Sequence, residues 1–224
     1  MKALLCAILL GTALTARAAA EVFTLKNAAV FTAAGAVALG YDNWIESRTN
    51  HKHTLSMTRL SRNIGQAGEG AYLGGAVVLF FAGGKLFGSE RTAETAFLAG
   101  ESFLAANAAG TILKVAVGRS RPYAGDGPLR FRPFNMKGES TSFPSGHTVS
   151  AFSVASVVAA RSEGTFTPVA AYGLATVVGL QRLYARRHWV SDVAAGAFIG
   201  TYVGRKIAAS AAARAPAATV WVLP

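Results

Sequence analysis

The sequence predicts an all-α protein, a compact helical bundle of about six helices. Apolar residues make up 52% of the 224 positions, alanine is abundant, and only 7 residues are proline. No stretch sustains the alternation of apolar and polar residues that half-buried strands show. The apolar segments instead have the length of helices and are separated by polar breaks, and the chain length fits one domain.

Six segments carry the helical prediction, and polar residues or a Gly- and Pro-containing loop separate them. The segments run near 24–40, 68–86, 91–117, 147–161, 166–183 and 191–209. A polar stretch from Asp42 to Arg62 separates the first two. A long loop from Arg119 to Phe143 separates the third and fourth, and loops of this length inside a domain are usually functional or disordered. The alanine-rich tail from Ala208 onward has no clear pattern.

The amino terminus, residues 1–20, has the pattern of a secretory signal peptide. Lys2 supplies the positive start, Ala3 to Leu14 the apolar stretch, and small residues around Ala18 the cleavage site. The alternative is an uncleaved first membrane helix, for which this apolar run is short. Cleavage would remove the only cysteine, Cys6, and would leave residues 21–224 as a single domain without disulfide or thiol chemistry.

The formal net charge is +11, although charged residues make up only 15% of the chain. A basic chain that is also this apolar fits an envelope protein that handles acidic headgroups or phosphates. Nucleic acid is not an expected partner, because the signal directs the chain away from it and no basic-aromatic module is present. The charge-free runs, about 12–18 residues long, do not decide between a membrane bundle and a soluble periplasmic one. Gly196 and Gly200 would let helices approach closely.

The first candidate binding block places two cations, Lys114 and Arg121, seven residues apart. This spacing is about two helical turns, so both side chains can lie on one face. Pro122 disfavours helix at Arg121, so the helix should end where the cations appear, and Arg119 adds a third charge. A guanidinium can bind a phosphate through two parallel hydrogen bonds. A solvated basic helix end would give the same pattern.

The second block, Pro144-Ser145-Gly146-His147, precedes an apolar helix. Gly146 permits a tight turn and a close approach of the backbone to a ligand. The amides at a helix start carry partial positive charge, so an anion could bind there and also receive the Ser145 hydroxyl. His147 would stand beside that anion, placed to donate a proton. The alternative is an ordinary capped helix start with a surface histidine.

The third block consists of Arg182, His188 and Asp192. If the chain is helical from Val190 onward, His188 and Asp192 lie about one turn apart, close enough to form a hydrogen bond. A carboxylate on one imidazole nitrogen fixes the tautomer and leaves the other nitrogen free to attack. A basic loop beside a helix is the alternative. Zinc is not expected, because only two histidines and one carboxylate lie near these blocks and no cysteine joins them.

Together the three blocks resemble the motifs of the type 2 phosphatidic acid phosphatase superfamily, which also contains bacterial acid phosphatases and vanadium haloperoxidases. The superfamily pattern is K-x6-R-P, P-S-G-H and S-R-x5-H-x3-D, and the resemblance covers roughly Glu90 to Arg205. The first two motifs match completely. The third motif has Gln181 where the pattern has Ser. The property that this difference would affect is the fine positioning of the neighbouring Arg182.

The resemblance implies a role for each matched residue. The groups that would bind the phosphate are Lys114, Arg121, Ser145, Gly146 and Arg182. His188 would attack phosphorus to form a phosphohistidine, Asp192 would orient His188, and His147 would protonate the leaving alcohol and then activate water. Preorganised cations stabilise the charge on the equatorial oxygens of the transition state. No metal or other cofactor is therefore expected, and vanadate should inhibit.

The implied function is that of a metal-independent phosphatase of the cell envelope, with its active site at one end of the bundle. Its substrates would be phosphate monoesters or pyrophosphates, above all lipid phosphates of the phosphatidate or isoprenoid type. The superfamily's membrane branch has six helices and a site facing the periplasm, which implies an inner-membrane location. The alternatives are a soluble periplasmic acid phosphatase, a vanadate-dependent haloperoxidase, and an envelope protein whose site has decayed. The loop from Tyr123 to Phe143 is expected to contact the rest of the substrate.

Overall fold

A computed structural model describes residues 38–48 and 55–214, which form seven α-helices. The helices are α1 (38–48), α2 (Leu55–Ala67), α3 (Gly70–Leu86), α4 (Glu90–Val117), α5 (Gly146–Arg161), α6 (Phe166–Tyr184) and α7 (Val190–Arg214). Two short 3-10 turns, Pro122–Ala124 and Gly138–Ser140, lie in the loop between α4 and α5. The described residues contain no β-strand, only one isolated bridge between Arg119 and Phe131. The predicted all-α class is confirmed.

Two parts of the predicted helix pattern were wrong. The polar stretch from Asp42 to Arg62 is largely helical, because α1 and α2 both lie within or across it. The polar side chains of α2 lie mostly on its exposed face. Because few residues of the segment are apolar, the sequence indicates a helix there only weakly. The last helix continues to Arg214, past the predicted end at 209. The proposed signal peptide and most of the predicted helix 24–40 lie outside the described residues.

The core lies where α4, α5 and α7 meet, and small side chains dominate it. It is formed by Leu98, Ala99, Ala105, Ala106, Ala109, Val149, Val157, Ile199, Val203 and Ile207. Because alanines line much of α4, the neighbouring helices pack close to its backbone. Helix α5 is therefore central, with α4 and α7 packed against it and α6 forming a second cluster on its other side.

Three glycines of α7 bring that helix into contact with the main chain of α5. A Cβ atom on Gly200 would lie 2.5 Å from the Val149 carbonyl oxygen, and one on Gly204 would lie 2.6 Å from that of Ser153. Gly196 approaches the Ser145 carbonyl in the same way. The predicted close approach at positions 196 and 200 is confirmed, and it holds the beginning of α7 beside the beginning of α5.

Helix α4 ends at a left-handed residue, Gly118, with φ of 59°. Its amide donates to the Lys114 carbonyl, and a Cβ atom there would lie 1.8 Å from the Arg132 carbonyl oxygen. Only glycine fits this combination of positive φ and close contact. The chain therefore turns directly after Lys114, and the following loop lies across the end of the bundle.

The outer surface of the bundle carries many large apolar side chains. Leu79, Leu86, Phe87, Phe166 and Val169 are all more than two thirds exposed, from 71% for Val169 to 89% for Phe87. Within the described residues, α4 is the one helix that is by itself long and apolar enough to cross a membrane. The segments Thr58–Ala67 and Gly70–Leu86, bent by 53°, meet the same criterion as a pair. Such an exposed apolar surface is unusual for a soluble monomer.

Candidate active site

The segment from Thr141 to Pro144 organises the candidate site through its backbone carbonyls. Lys114 donates from Nζ to the carbonyls of Thr141 and Pro144, both at 2.8 Å. Arg121 donates from Nη2 to the same Thr141 carbonyl at 3.3 Å. Lys114, in the last turn of α4, and Arg121, just after the helix end, therefore share the Thr141 carbonyl as an acceptor. This shared acceptor holds the two cations close together although like charges repel.

His188 is bound to the same segment. Its Nδ1 lies 2.7 Å from the Ser142 carbonyl oxygen, and the residue is 4% exposed. Because a carbonyl can only accept, Nδ1 must carry the proton, and Nε2 keeps its lone pair. The structure thus fixes the tautomer that a nucleophilic histidine needs. The acceptor is not the one expected, since the Asp192 carboxylate lies 3.7 Å from Nδ1, beyond hydrogen-bond distance.

Asp192 acts on His188 through its neighbours. Its Oδ2 accepts hydrogen bonds from the Trp189 amide, at 2.8 Å, and from the Ser142 hydroxyl. Trp189 follows His188 in the chain, and Ser142 supplies the carbonyl that binds the ring. The carboxylate therefore positions both the loop that carries the imidazole and the acceptor that orients it.

A buried ion-pair network that the sequence did not reveal lies behind Asp192. Arg119 donates to Asp192 and to Asp42 of α1, each at 2.7 Å, and its side chain is 1% exposed. Asp42 also accepts from the backbone amide and the hydroxyl of Ser191. In the sequence, Arg119 only adds a third charge beside Lys114 and Arg121. Both of its carboxylate partners are fully buried, so its charge is neutralised inside the protein and its role is structural.

The second block lies at the start of α5, as predicted. The Ser145 amide donates to the Asp192 backbone carbonyl at 3.0 Å, which ties the starts of α5 and α7 together. The Ser145 hydroxyl accepts from Thr148 at 2.9 Å and retains its own proton for a ligand. Gly146 has no left-handed φ, and a Cβ atom there would meet nothing within 4 Å. The backbone at Gly146 therefore does not itself require glycine, and what the glycine provides is open space beside the helix-start amides.

A cavity of about 620 Å³ opens at this end of the bundle, between α2 and α6. His147 and Arg182 line it, together with further polar side chains that include Arg62, Arg186 and Arg187. The Arg182 Nε is buried and has no hydrogen-bond partner among the described residues. A buried donor without a partner is costly.

Gln181, the residue that departs from the superfamily pattern, connects Arg182 to helix α2. Its Oε1 accepts from Arg182 Nη1 at 3.2 Å, and its Nε2 donates to the Ser61 hydroxyl at 3.0 Å. Gly65 leaves room for this side chain, because a Cβ atom at Gly65 would lie 3.0 Å from Nε2. A serine at position 181 is too short to make both contacts, so here the glutamine couples the arginine to the cavity wall.

Both histidines are held in the neutral state by their surroundings. Burial lowers the pKa of His188 to about 4, and the positive charges of Arg121 and Lys114 act in the same direction, whereas Asp192 opposes them. Burial, followed by the charge of Arg182, lowers the pKa of His147 to about 3. A bound phosphate would neutralise the surrounding cations and raise both pKa values. Burial thus keeps His188 unprotonated, which is the form that can attack.

The structure brings the predicted residues to one end of the bundle. Lys114, Arg121 and His188 share the Thr141–Pro144 segment, while His147 and Arg182 border the cavity. Sequence reasoning missed Asp42, Ser142 and the structural role of Arg119. No local signal marked Asp42, because its partner Arg119 lies 77 residues away in the chain.

Comparison with known proteins agrees with the motif resemblance. Residues 95–215 match the PAP2 superfamily. Over 65 residues the chain is 42% identical to the lipid A 1-phosphatase of Porphyromonas gingivalis, a match that covers 28% of this chain and 15% of that protein. The chain therefore spans only a small part of the length of this curated relative.

Two solved structures share the fold. The transmembrane PAP2 type phosphatidylglycerolphosphate phosphatase from Bacillus subtilis superposes with a TM-score of 0.61 at 22% identity, covering 91% of this chain and 96% of that one. LpxE from Aquifex aeolicus superposes with a TM-score of 0.55 at 21% identity, covering 74% of this chain and 93% of that one. Because the family match spans more than half of the sequence, the chain belongs to the PAP2 superfamily.

Proposed function

We propose that this protein is a phosphatase of the cell envelope that hydrolyses lipid phosphate monoesters or pyrophosphates through a phosphohistidine on His188. The observation that carries the proposal is the hydrogen bond from His188 Nδ1 to the Ser142 carbonyl, 2.7 Å long. This hydrogen bond leaves Nε2 of His188 unprotonated. The segment that accepts it, Thr141 to Pro144, also binds Lys114 and Arg121. A nucleophile and the cations that stabilise an oxyanion are thus held by one short stretch of backbone.

The reaction would proceed in two displacements at phosphorus. In the first, His188 Nε2 attacks phosphorus and forms a P–N bond, while the P–O bond to the leaving group breaks and His147 protonates the departing oxygen. In the second, His147 removes a proton from water, and the resulting oxygen nucleophile breaks the P–N bond. Inorganic phosphate and the neutral imidazole are then released. Burial lowers the pKa of His147 to about 3, so the charge of the bound phosphate must raise it before His147 can act as an acid.

The negative charge of the transition state would be stabilised by the cationic side chains and the amides at the start of α5, which together form the phosphate cradle. In a loose phosphoryl transition state the negative charge lies on the equatorial oxygens. Arg182, which lines the cavity, can contribute its guanidinium, and Lys114 retains a third ammonium proton beyond the two that bind carbonyls. The amides at the start of α5 add partial positive charge beside the open space at Gly146. In this proposal no metal ion or cofactor takes part, and vanadate occupies the cradle as an inhibitor.

A lipid substrate and a membrane location are supported by the surface of the protein. The large apolar side chains exposed around the bundle would be covered by lipid, and α4 is long enough to cross the bilayer. The relatives named above are a lipid A phosphatase and a transmembrane phosphatidylglycerolphosphate phosphatase. Retention of the protein in membranes after a sodium carbonate wash tests this location. Release into the supernatant would favour the soluble acid phosphatase alternative.

The loop between α4 and α5 is proposed to contact the rest of the substrate. It presents exposed aromatic side chains, Phe134 at 77% and Tyr123 at 42% exposure. The Arg187 guanidinium lies 5.1 Å from the Tyr123 ring centroid, at the edge of the cavity. Exchange of residues 123–137 for the loop of a relative should alter the order of substrate preference. The following residues must be kept, because the carbonyls of 141–144 hold the site together.

The activity is tested by incubating the purified protein with phosphatidate or p-nitrophenyl phosphate in the presence of EDTA. Phosphate release is expected from the wild type and not from His188→Ala. Glu90→Ala is the control variant, because it changes only an exposed ion pair with Lys85, and it should release phosphate like the wild type. Quenching with alkaline detergent during turnover should trap a phosphate on the wild-type protein that is stable to alkali and is released by acid. Activity that appears only after a divalent metal is added, or normal turnover by His188→Ala, would contradict the proposal.

A further inference from the structure

The buried charges behind the site do not cancel one another. Arg119 supplies one positive charge, whereas Asp42 and Asp192 supply two negative charges, and each carboxylate lies 2.7 Å from the guanidinium. All three side chains are at most 1% exposed, so water does not screen the difference. One negative charge is therefore left over in the interior, where an uncompensated charge is costly.

The position of a missing counter-charge can be read from the neighbours of the two carboxylates. The remaining partners of Asp42 are the amide and the hydroxyl of Ser191, which are neutral. Among the described residues, the one further basic group within ion-pair distance of either carboxylate is His188, whose Nδ1 lies 3.7 Å from Asp192 Oδ2. A positive charge on the His188 ring would therefore complete the buried group.

Asp42 also lies near the imidazole itself. Asp42 and His188 line the same small cavity, of about 10 Å³, beside Trp189. The other charged side chains that line this cavity, Glu46 and Arg186, form an ion pair with each other. A space of this size holds at most about one water molecule, so the charge of Asp42 acts on the ring through protein and not through bulk water.

The covalent step of the proposed reaction creates the missing charge. The lone pair of His188 Nε2 forms the P–N bond, while the P–O bond breaks and the leaving oxygen takes its electron pair and the proton of His147. Because Nδ1 keeps its proton, the phosphorylated ring is an imidazolium cation. The positive charges of Arg121 and Lys114 disfavour a cation on this ring. A negative charge on the opposite side of the ring would offset them.

We propose that Asp42 stabilises the phosphohistidine intermediate, because with Asp192 it maintains one excess buried negative charge that the phosphorylated His188 neutralises. Asp42 acts through Arg119 and Asp192 and does not touch the substrate, so it is a positioning residue. The inference rests on the proposed phosphatase function and adds to it a residue of α1 that lies outside the three motifs.

Asp42→Asn tests this inference through two inhibitors of the full-length protein in detergent. Vanadate accepts a bond from Nε2 and makes the ring cationic, whereas inorganic phosphate binds without that bond. The substitution should raise the Ki for vanadate and lower kcat about tenfold, the order of effect of one unit charge in a protein interior. The Ki for phosphate should stay within about twofold, because phosphate leaves the ring neutral. Glu90→Gln, which removes a charge from an exposed pair, should change neither constant.

A double variant separates the charge from the structural role. Asp42→Asn with Arg119→Gln removes more of the network but restores one excess negative charge, on Asp192. Replacing both partners of a buried ion pair is also far less destabilising than removing one. The ratio of the two Ki values, which does not depend on how much of the protein is folded, should rise in the single variant and return toward the wild-type ratio in the double variant.

Three outcomes would overturn the inference. They are equal changes in both Ki values of Asp42→Asn, no change in either, and a double variant whose ratio is no closer to the wild type than that of the single variant. A wild type that neither releases phosphate nor binds vanadate would instead refute the phosphatase function, which keeps the two failures distinct.

Discussion

The buried ion pairs around Arg119 make a quantitative prediction. Asp42→Ala removes one of the two carboxylates that neutralise Arg119 and leaves the Ser191 amide and hydroxyl without their acceptor. All three charged side chains are at most 1% exposed, so water cannot replace the lost partner. Breaking a buried pair from one side typically costs about 3–5 kcal/mol. The free energy of unfolding should therefore fall by about that amount.

The assay is thermal unfolding of the detergent-solubilised protein, followed by tryptophan fluorescence. For a domain of this size the loss corresponds to a decrease in melting temperature of roughly 10 °C. Glu90→Ala is the control, because its partner Lys85 lies in an ion pair with side chains 50% and 79% exposed, and such pairs contribute little. A melting temperature of Asp42→Ala equal to that of the control would refute the reasoning. Phosphatase activity should fall as well, since Asp192 would lose its support.

Three further predictions concern the nucleophile, the helix contact and the glutamine. Since burial lowers the pKa of His188 from its ordinary 6.5 to about 4, the folded state favours the neutral ring. The contribution of this group to stability is complete above pH 6.5 and is lost as the pH falls to about 4. Between these pH values the melting temperature of the wild type should therefore fall more steeply than that of His188→Gln. Gly200→Ala should lower the free energy of unfolding by about 1–3 kcal/mol, because its Cβ would overlap the main chain of α5, whereas Gly173→Ala, with open space around it, should not. Gln181→Ala should weaken vanadate inhibition and lower kcat/KM about threefold to tenfold, the effect of one lost hydrogen bond to Arg182, and unchanged values of both would exclude a positioning role.

The sequence predicted the helices with long apolar segments well and missed those whose stability depends on tertiary contacts. Helices α3 to α7 carry long apolar runs whose length indicates a helix. Helix α1 contains the buried Asp42, which is tolerable only because Arg119, 77 residues away in the chain, lies beside it. No local pattern can indicate such a pairing, because the partner is defined by the fold.

The same limit explains what was right and wrong about the site. The spacing of Lys114, Arg121, His188 and Asp192 identified a set of residues that the fold collects at one end of the bundle. The hydrogen-bond partners were not predictable, because they are main-chain carbonyls that every residue carries. The expectation that Asp192 binds His188 directly followed from helix spacing alone, whereas the segment from Thr141 to Pro144 supplies a nearer acceptor.

The use of main-chain oxygens at residues 141–144 has a consequence for how the site tolerates change. Substituting a side chain does not remove a carbonyl, so the main-chain acceptors of the cations and the imidazole survive a change of residue type, whereas the Ser142 hydroxyl that donates to Asp192 does not. Adding or deleting a single residue would shift all the acceptors in register at once. Variation in loop length should therefore be confined to the part of the loop that precedes Gly138.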